Sequence, residues 1–317
     1  MAALVETMLW SLIILSLSSV ARALSSNYYD KTCANVESIV AKAVKDATSK
    51  DKTVPAALLR LHFHDCFIRG CDASVLLESK GGSKAEKDGP PNQSLHAFYV
   101  IQNAKKAVEA ACPGIVSCAD ILAFAARDSV VLSGGPTWEV PKGRMDGRTS
   151  KASETTKLPS PVFNISQLQL SFALRGLSLK DLVALTGAHT LGFSHCSSFQ
   201  SRIYNFNSTH DIDPTLRPSF ASSLKSICPA NNKAKNAGTY MDPSSTTFDN
   251  THYRLMLQGK TLFSSDQALL TAPYTKSLVY KFASSKKAFH TAFANSMIKL
   301  SSINGGQEVR KDCRVVN

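Results

Sequence analysis

The stretch Arg60 to Phe67, Arg-Leu-His-Phe-His-Asp-Cys-Phe, decides how this chain is interpreted. Most of the residues just before it are apolar, and Pro55 is well placed to open a helix there. Residues four apart lie on one face of a helix, so Arg60 and His64 are predicted to lie side by side. A permanent cation and a group that titrates near neutrality can then act together on one small molecule.

Each of these two residues has an ordinary structural explanation when it is taken alone. A His can be satisfied inside a core, and an Arg can pair with a carboxylate. On an otherwise apolar helix the pair is harder to explain in this way, because a buried cation without an acidic partner is costly. His62 lies one position off the shared face and, with His64 or Cys66, offers an alternative set of zinc ligands.

Two further stretches carry candidate ligands. Asp65 to Ser74 contains two carboxylates, a hydroxyl and a turn glycine, which are the oxygen ligands and the flexibility that Ca²⁺ needs. A short disulfide between Cys66 and Cys71 would hold this loop rigid, while the alternative is a solvated acidic turn. His189, in Thr-Gly-Ala-His-Thr, follows a helical run and by itself is as consistent with a core or turn position as with a metal ligand.

Apolar residues recur at spacings of three and four, which predicts amphipathic helices over much of the chain. Clear examples are 36–47, 101–111 and 289–300. Ser178 with Asp181 resembles a helix-opening capping box. Because alternation of the strand type is scarce, we predict a mainly α protein with little β structure.

The first 23 residues are predicted to be a secretory signal peptide. A short apolar run, 8–17, precedes Ala21-Arg-Ala23, which fits the cleavage rule, although Glu6 weakens the usual basic start. All eight cysteines lie beyond it, which predicts an oxidising compartment and four disulfides. The spacing alone leaves about 105 pairings open.

The mature chain, 24–317, is predicted to be a single domain with two lobes, roughly 24–160 and 161–317, because no connector is long or biased enough to be a linker. Its net charge stays at +12 after the signal peptide is removed, since one basic and one acidic residue are lost. Such a cation is expected to adhere to polyanions. The basic residues come at most in pairs and form no stripe with aromatic residues, which argues against a nucleic-acid partner.

Several motifs in order resemble those of plant secretory haem peroxidases of the class III type, along essentially the whole mature chain. In addition to Arg60–Phe67, they are Arg69-Gly-Cys-Asp-Ala-Ser74, Glu86-Lys-Asp88, Pro113–Asp120, Gly147-Arg148, Leu182–Thr190, Phe248-Asp-Asn250 and Ser265-Asp-Gln267. The resemblance implies a haem peroxidase fold in which two helical lobes sandwich haem b.

The resemblance also implies roles for individual residues. His64 would be the acid/base catalyst of the distal pocket, Arg60 the stabiliser of charge on the breaking peroxide, and Asn92 the hydrogen-bond partner of His64. His189 would bind the haem iron and Asp266 would accept its other N–H. The remaining implied contacts are Phe63 with the haem and Pro159 with the aromatic donor.

Two Ca²⁺ ions and a disulfide pairing are implied in the same way. The first ion would bind Asp65, Ile68, Gly70, Asp72 and Ser74, and the second Thr190, Asp242, Ser245, Thr247 and Asp249. The interval from Asp242 to Asp249 is one residue shorter than is commonest in the family, so Ser244 is the alternative to Ser245. The implied disulfides are Cys33 to Cys112, Cys66 to Cys71, Cys118 to Cys313 and Cys196 to Cys228.

The expected activity is reduction of hydrogen peroxide to water with one-electron oxidation of phenolic donors, in lignin or suberin formation, other phenol coupling in the cell wall, or the response to oxidative stress. We expect a secreted monomer of the cell wall or apoplast, with an acidic wall polysaccharide as a further partner and no membrane contact after signal cleavage. Three alternatives have different observables. A haem protein without turnover would not oxidise guaiacol, a zinc or thiol enzyme would lack a Soret band, and a basic adhesion module would bind pectin without needing its histidines.

Overall fold

The fold is mainly helical, as the sequence predicts, and it is known here from a computed structural model that describes residues 23–231, 236–303 and 305–317. The predicted signal peptide, apart from Ala23, lies outside the described residues. The helices are α1 Val36–Lys50, α2 Val54–Arg69, α3 Phe98–Ala111, α4 Cys118–Leu132, α5 Ile165–Ala173, α6 Leu179–Thr186, α7 Gln200–Ile203, α8 Pro218–Ile227, α9 Thr251–Leu257, α10 Ser264–Ala268, α11 Pro273–Ser284 and α12 Lys286–Ser301. Strands β1 Phe193–His195 and β2 Gly238–Tyr240 form the one sheet of the described residues, which is antiparallel.

Helix α2 carries the decisive stretch and lies deep in the molecule. Pro55 is its second residue, where no intrahelical N–H donor is needed, as expected. The helix ends before Gly70, whose φ of 88° is a conformation that favours glycine. Because α2 packs against α1, α4 and α12, most of its side chains are buried, and it holds its polar residues in fixed positions.

A main hydrophobic core runs through both halves of the chain, from Tyr29 to Cys313. Its second half includes a cluster of aromatic rings in which Phe248, Phe289 and Phe293 contact one another. A smaller cluster surrounds the disulfide between Cys196 and Cys228. In the part of the chain that the structure describes, no helix combines the length and the apolar character that crossing a bilayer requires.

All eight cysteines form disulfides, with the pairing that the resemblance implies. The bond between Cys118 and Cys313 joins residues 195 positions apart. In the chain-entropy description a cross-link of this length stabilises the fold by about 5 kcal/mol. It ties the start of α4 to the C-terminal segment.

Asp120 in α4 is the centre of a buried polar network. Its carboxylate lies 2.7 Å from Nη1 of Arg144, and both side chains are fully buried. It also accepts hydrogen bonds from the hydroxyl of Tyr29, at 2.6 Å, and from the amide of Gly143, at 2.7 Å. Nε of Arg144 donates to the carbonyl of Ser301 at the end of α12, so the network connects both ends of the fold.

We expect Asp120→Ala to lower the free energy of unfolding by about 3 to 5 kcal/mol, because it leaves the Arg144 guanidinium buried without its counter-ion. Urea unfolding with the disulfides intact would measure the loss. The matched control is Asp46→Ala, which removes an ion pair with Lys42 at an exposed helix surface and should leave the stability unchanged. Equal unfolding midpoints for the two variants would contradict the role given to Asp120.

Candidate active site

His64 is held in one tautomer by a short chain of hydrogen bonds. Its Nδ1 lies 2.6 Å from Oδ1 of Asn92, and Nδ2 of Asn92 donates to the carbonyl of Glu86 at 2.8 Å. The second bond fixes the orientation of the amide, so an oxygen faces His64 and Nδ1 must carry the hydrogen. The other ring nitrogen, Nε2, therefore keeps its lone pair.

The surroundings of His64 also keep it neutral. Burial lowers its pKa to about 3, the charge of Arg60 acts in the same direction, and the bond to Asn92 opposes both. The side chain is 7% exposed. At physiological pH it can accept a proton at Nε2, which a general base requires.

Arg60 carries a charge that no carboxylate of the described residues neutralises. Its Nη1 donates to the hydroxyl of Ser94 and its Nη2 to the carbonyl of Pro91, both at 2.9 Å. Arg60 is exposed at the surface of the site and not buried as the sequence indicated. The surrounding protein still desolvates its guanidinium and lowers its pKa to about 10, so it remains a cation at neutral pH. The guanidinium is thus fixed in place by neutral acceptors, and its charge remains able to stabilise a developing anion nearby.

The alternative zinc site around His62 is not formed. His62 is fully buried and its Nε2 lies 2.8 Å from the hydroxyl of Ser301, which gives it a structural hydrogen bond. Cys66 and Cys71 are close to His62, but they are bonded to each other and cannot act as thiolate ligands. His62 is therefore a satisfied core histidine.

His189 lies in the tight turn Gly187–Thr190 that follows α6, whose capping box of Ser178 and Asp181 is present as predicted. Its Nδ1 donates to Oδ1 of Asp266 at 2.8 Å. The carboxylate is fully buried, and although burial alone would raise the pKa of Asp266, the facing His189 and His252 hold it below its usual range. Since Nδ1 carries the hydrogen, Nε2 of His189 keeps a free lone pair that can bind a metal, and the side chain is 39% exposed.

These residues fit a haem. A neutral imidazole nitrogen on a partly exposed ring is the donor that haem iron takes from proteins, and a carboxylate on the other nitrogen makes it more basic. Phe63 lies on the same helix as His64, is half-buried, and packs against Phe67 with 4.3 Å between ring centroids. Phe263 stands edge-on to His189 at 5.2 Å. Pro159 is also half-buried.

A group of buried acids lies near the C-terminal end of α2 and in the segment that follows it. Asp65, Asp72 and Glu86 are all buried, and burial raises the pKa of each of them, that of Glu86 to about 8. The charge of Asp72 adds to the shift in Asp65 and in Glu86. Among the described residues, the hydroxyl of Ser74 and both carboxylate oxygens of Glu86 have no hydrogen-bond partner. Repelling carboxylates beside unpartnered oxygens fit a divalent cation.

A second group of side-chain oxygens adjoins His189. The hydroxyl of Thr190 donates to Asp242 at 2.7 Å and lies 3.3 Å from Asp249. The serine whose hydroxyl joins this group is Ser244, which lies 3.0 Å from the Asp242 carboxylate. Ser245, the residue named from the sequence, accepts the amide of Gly192 with its carbonyl instead. The structure therefore places the Ser244 hydroxyl beside the Asp242 carboxylate.

The comparisons with known proteins identify the family. The family model described as Peroxidase matches residues 40–285. The chain is 64% identical to Peroxidase 64 of Arabidopsis thaliana over 96% of both chains. It is 55% identical to Peroxidase 66 of Arabidopsis thaliana, over 93% of this chain and 92% of that protein, and 46% identical to Peroxidase 1 of Oryza sativa subsp. japonica over 93% of both.

The chain therefore belongs to the peroxidase family, and it is a haem peroxidase, an enzyme that uses hydrogen peroxide to oxidise donor molecules. Within that family it is a plant peroxidase of the class III type, as the motifs predicted.

Two site residues were missed in the sequence. Ser94 fixes Arg60, and His252 is buried beside Asp266 and His189. The position of Ser94, two residues after Asn92, gave no indication that its hydroxyl would contact Arg60. His252 lies two residues after the Phe248-Asp-Asn250 motif, and its position on a short helix gave no indication that it faces Asp266.

If His64 is the base, we expect the rate constant for the reaction with hydrogen peroxide to stay flat from pH 7 to about pH 5 and to fall only as the pH approaches 3. A base must be unprotonated, and the pKa of His64 is lowered to about 3. Stopped-flow absorbance would measure it, and an unchanged Soret band at each pH would confirm intact protein. A midpoint near 6.5, the ordinary value for His, would contradict the effect of burial on His64.

Proposed function

We propose that His64, Arg60 and Asn92 cleave the peroxide, while His189 and Asp266 hold the haem iron. The observation that carries this assignment is the contrast between the two histidines. Each donates its Nδ1 hydrogen and keeps a free Nε2, but His64 donates to a neutral amide and His189 to a carboxylate. The carboxylate makes His189 the stronger electron donor, which suits a metal ligand.

His64 and Arg60 then have different roles at the peroxide. Nε2 of His64 takes the proton from one oxygen of hydrogen peroxide and returns it to the other oxygen, which departs. The same nitrogen thus serves first as base and then as acid. Arg60 stabilises the negative charge that develops on the departing oxygen, which leaves as water. When bound, the haem supplies the electrons that break the O–O bond and retains the oxidising equivalents for the donors.

We propose phenols as the donors, oxidised one electron at a time at the haem edge beside Pro159. The half-buried position of Pro159 leaves part of its surface open to an aromatic ring. Such an activity would serve lignin or suberin formation, other phenol coupling in the cell wall, or the response to oxidative stress. His64 and Arg60, in contrast, need contact only a molecule as small as hydrogen peroxide.

We propose that two Ca²⁺ ions bind beside the two halves of the site. The first would be held by Asp65, Asp72, Ser74 and the carbonyls of Ile68 and Gly70. The second would be held by Thr190, Asp242, Ser244, Asp249 and the carbonyl of Thr247. The unpartnered hydroxyl of Ser74 and the raised pKa values of the first group support this assignment.

We propose that the protein is one domain, 24–317, exported to the cell wall or apoplast as a monomer after cleavage at residue 23. Its four disulfides need an oxidising compartment, and its net charge of +12 favours adhesion to an acidic wall polysaccharide.

We expect His64→Leu to slow the reaction with hydrogen peroxide by about 10² to 10⁴-fold, because the proton transfer loses its base. Stopped-flow kinetics would test this. The matched control is His62→Gln, two residues away on the same helix, which should keep the rate within a few-fold because His62 contacts Ser301. Similar rates for His64→Leu and the wild type would exclude His64 as the base.

For the second Ca²⁺ site, we expect Ser244→Ala to weaken binding and Ser245→Ala to leave it unchanged, since it is the hydroxyl of Ser244 that lies 3.0 Å from the Asp242 carboxylate. Calcium content per chain after dialysis against graded chelator would measure both. The wild type should retain about two ions at low chelator concentration. The reverse ranking of the two variants would return the ligand role to Ser245.

A further inference from the structure

His252 is a buried residue beside His189 and Asp266, and the proposed mechanism does not use it. It is the second residue of α9 and is fully buried. Its ring stands nearly perpendicular to that of His189, with 5.6 Å between the centroids. Its Nε2 lies 3.6 Å from Oδ2 of Asp266, the carboxylate that also holds His189.

The two oxygens of Asp266 are not equivalent. Oδ1 accepts the hydrogen of His189, whereas Oδ2 has no hydrogen-bond partner among the described residues. The two ring nitrogens of His252 are likewise without a partner there. An imidazole always carries at least one N–H, and a buried unpaired donor or acceptor costs free energy. The two unsatisfied groups face each other.

The separation between them is slightly too long for a hydrogen bond. Good N–H···O bonds measure about 2.7 to 3.2 Å, so a shift of about 0.5 Å would form one. The buried nitrogens of His252 have no competing acceptor within hydrogen-bond distance in the described part of the chain. Asp266 is thus flanked by two histidines, of which only one can bind the haem iron through a partly exposed ring.

We propose that His252 is a positioning residue that shares the Asp266 carboxylate with His189. Its Nε2–H donates to Oδ2, fixes the plane of the carboxylate, and draws negative charge away from Oδ1. Asp266 then pulls less strongly on the hydrogen of His189, and His189 is a weaker electron donor than Asp266 alone would make it. A metal held by a weaker donor is reduced more easily. This inference rests on the proposed role of His189 as iron ligand.

The test compares two variants of the haem-loaded protein. His252→Phe keeps a ring of similar size without a donor, and His252→Gln keeps an N–H near the position of Nε2. We expect His252→Phe to shift the iron(III)/iron(II) equilibrium about tenfold toward iron(III), which is about 59 mV for one electron. In His252→Gln the iron(III)/iron(II) equilibrium constant should stay within twofold of the wild-type value. Spectroelectrochemistry would measure both potentials.

Resonance Raman spectra of the reduced proteins give a second readout. The iron–histidine stretching band should move to higher frequency in His252→Phe, because the bond to a more anionic imidazole is stronger, and should return toward the wild-type position in His252→Gln. An iron(III)/iron(II) equilibrium constant in His252→Phe that stays within twofold of the wild-type value overturns the proposal. Equal shifts in both variants also overturn it, since they would mark a packing effect.

A measurement on the wild type keeps the proposal testable if His252→Phe fails to fold. In the diamagnetic carbon monoxide complex of the reduced protein, ¹⁵N-histidine NMR reports which nitrogen of His252 carries hydrogen. An Nε2–H tautomer supports the proposal, and an Nδ1–H tautomer overturns it. The role of His189 is tested separately: if the iron–histidine band persists in His189→Gly, the proposed iron ligand is wrong whatever His252 does.

Discussion

The hydrogen bond on Nδ1 of each site histidine is the constraint on which the chemistry depends. A neutral imidazole has one donor and one acceptor nitrogen, and the partner on Nδ1 decides which is which. Asn92 and Asp266 both take that hydrogen, so both His64 and His189 retain a free Nε2. In the proposed mechanism, the difference between an amide and a carboxylate then separates the acid/base catalyst from the metal ligand. The same residue type thus takes two roles through its neighbours.

Keeping these partners in place requires buried polar groups, which the fold must satisfy. Asn92 is oriented by the carbonyl of Glu86, and the side chain of Glu86 belongs to the acidic group with Asp65 and Asp72. A cation bound by this group would therefore be coupled through two residues to the tautomer of His64. The loop itself is tightly built: Cys66 is bonded to Cys71, and a Cβ at Gly147 would collide with the Asp72 carboxylate. The oxygen group of Asp242, Ser244 and Asp249 has a similar relation to His189 through Thr190, its neighbour in sequence.

Much of the site was predictable because its residues are close in sequence or belong to recognisable motifs. Arg60 and His64 share one helix face, and the helix begins near Pro55 as expected. The contacts that cross long distances in sequence were not predictable from local pattern. His62 reaches Ser301, 239 positions later in the sequence. His252 is nearer to Asp266 in sequence, but the two residues belong to different helices, and nothing in the local pattern shows that they face each other. Ser244 and Ser245 have the same chemistry, and the direction of each side chain depends on the turn that contains them.

The sequence by itself determined the helical class, the position of the helix that carries Arg60 and His64, the number of cysteines and, through its motifs, the peroxidase family. These follow from periodicity, capping residues and spacing, which act over a few residues at a time. Only the tertiary structure decided which groups hold each imidazole, that His62 is structural, that the Ser244 hydroxyl lies beside Asp242, and that a second histidine stands beside Asp266. Those outcomes depend on distances of about 3 Å between particular atoms, some of them on segments far apart in the chain. A hydrogen bond weakens too steeply with distance and angle for spacing alone to define it.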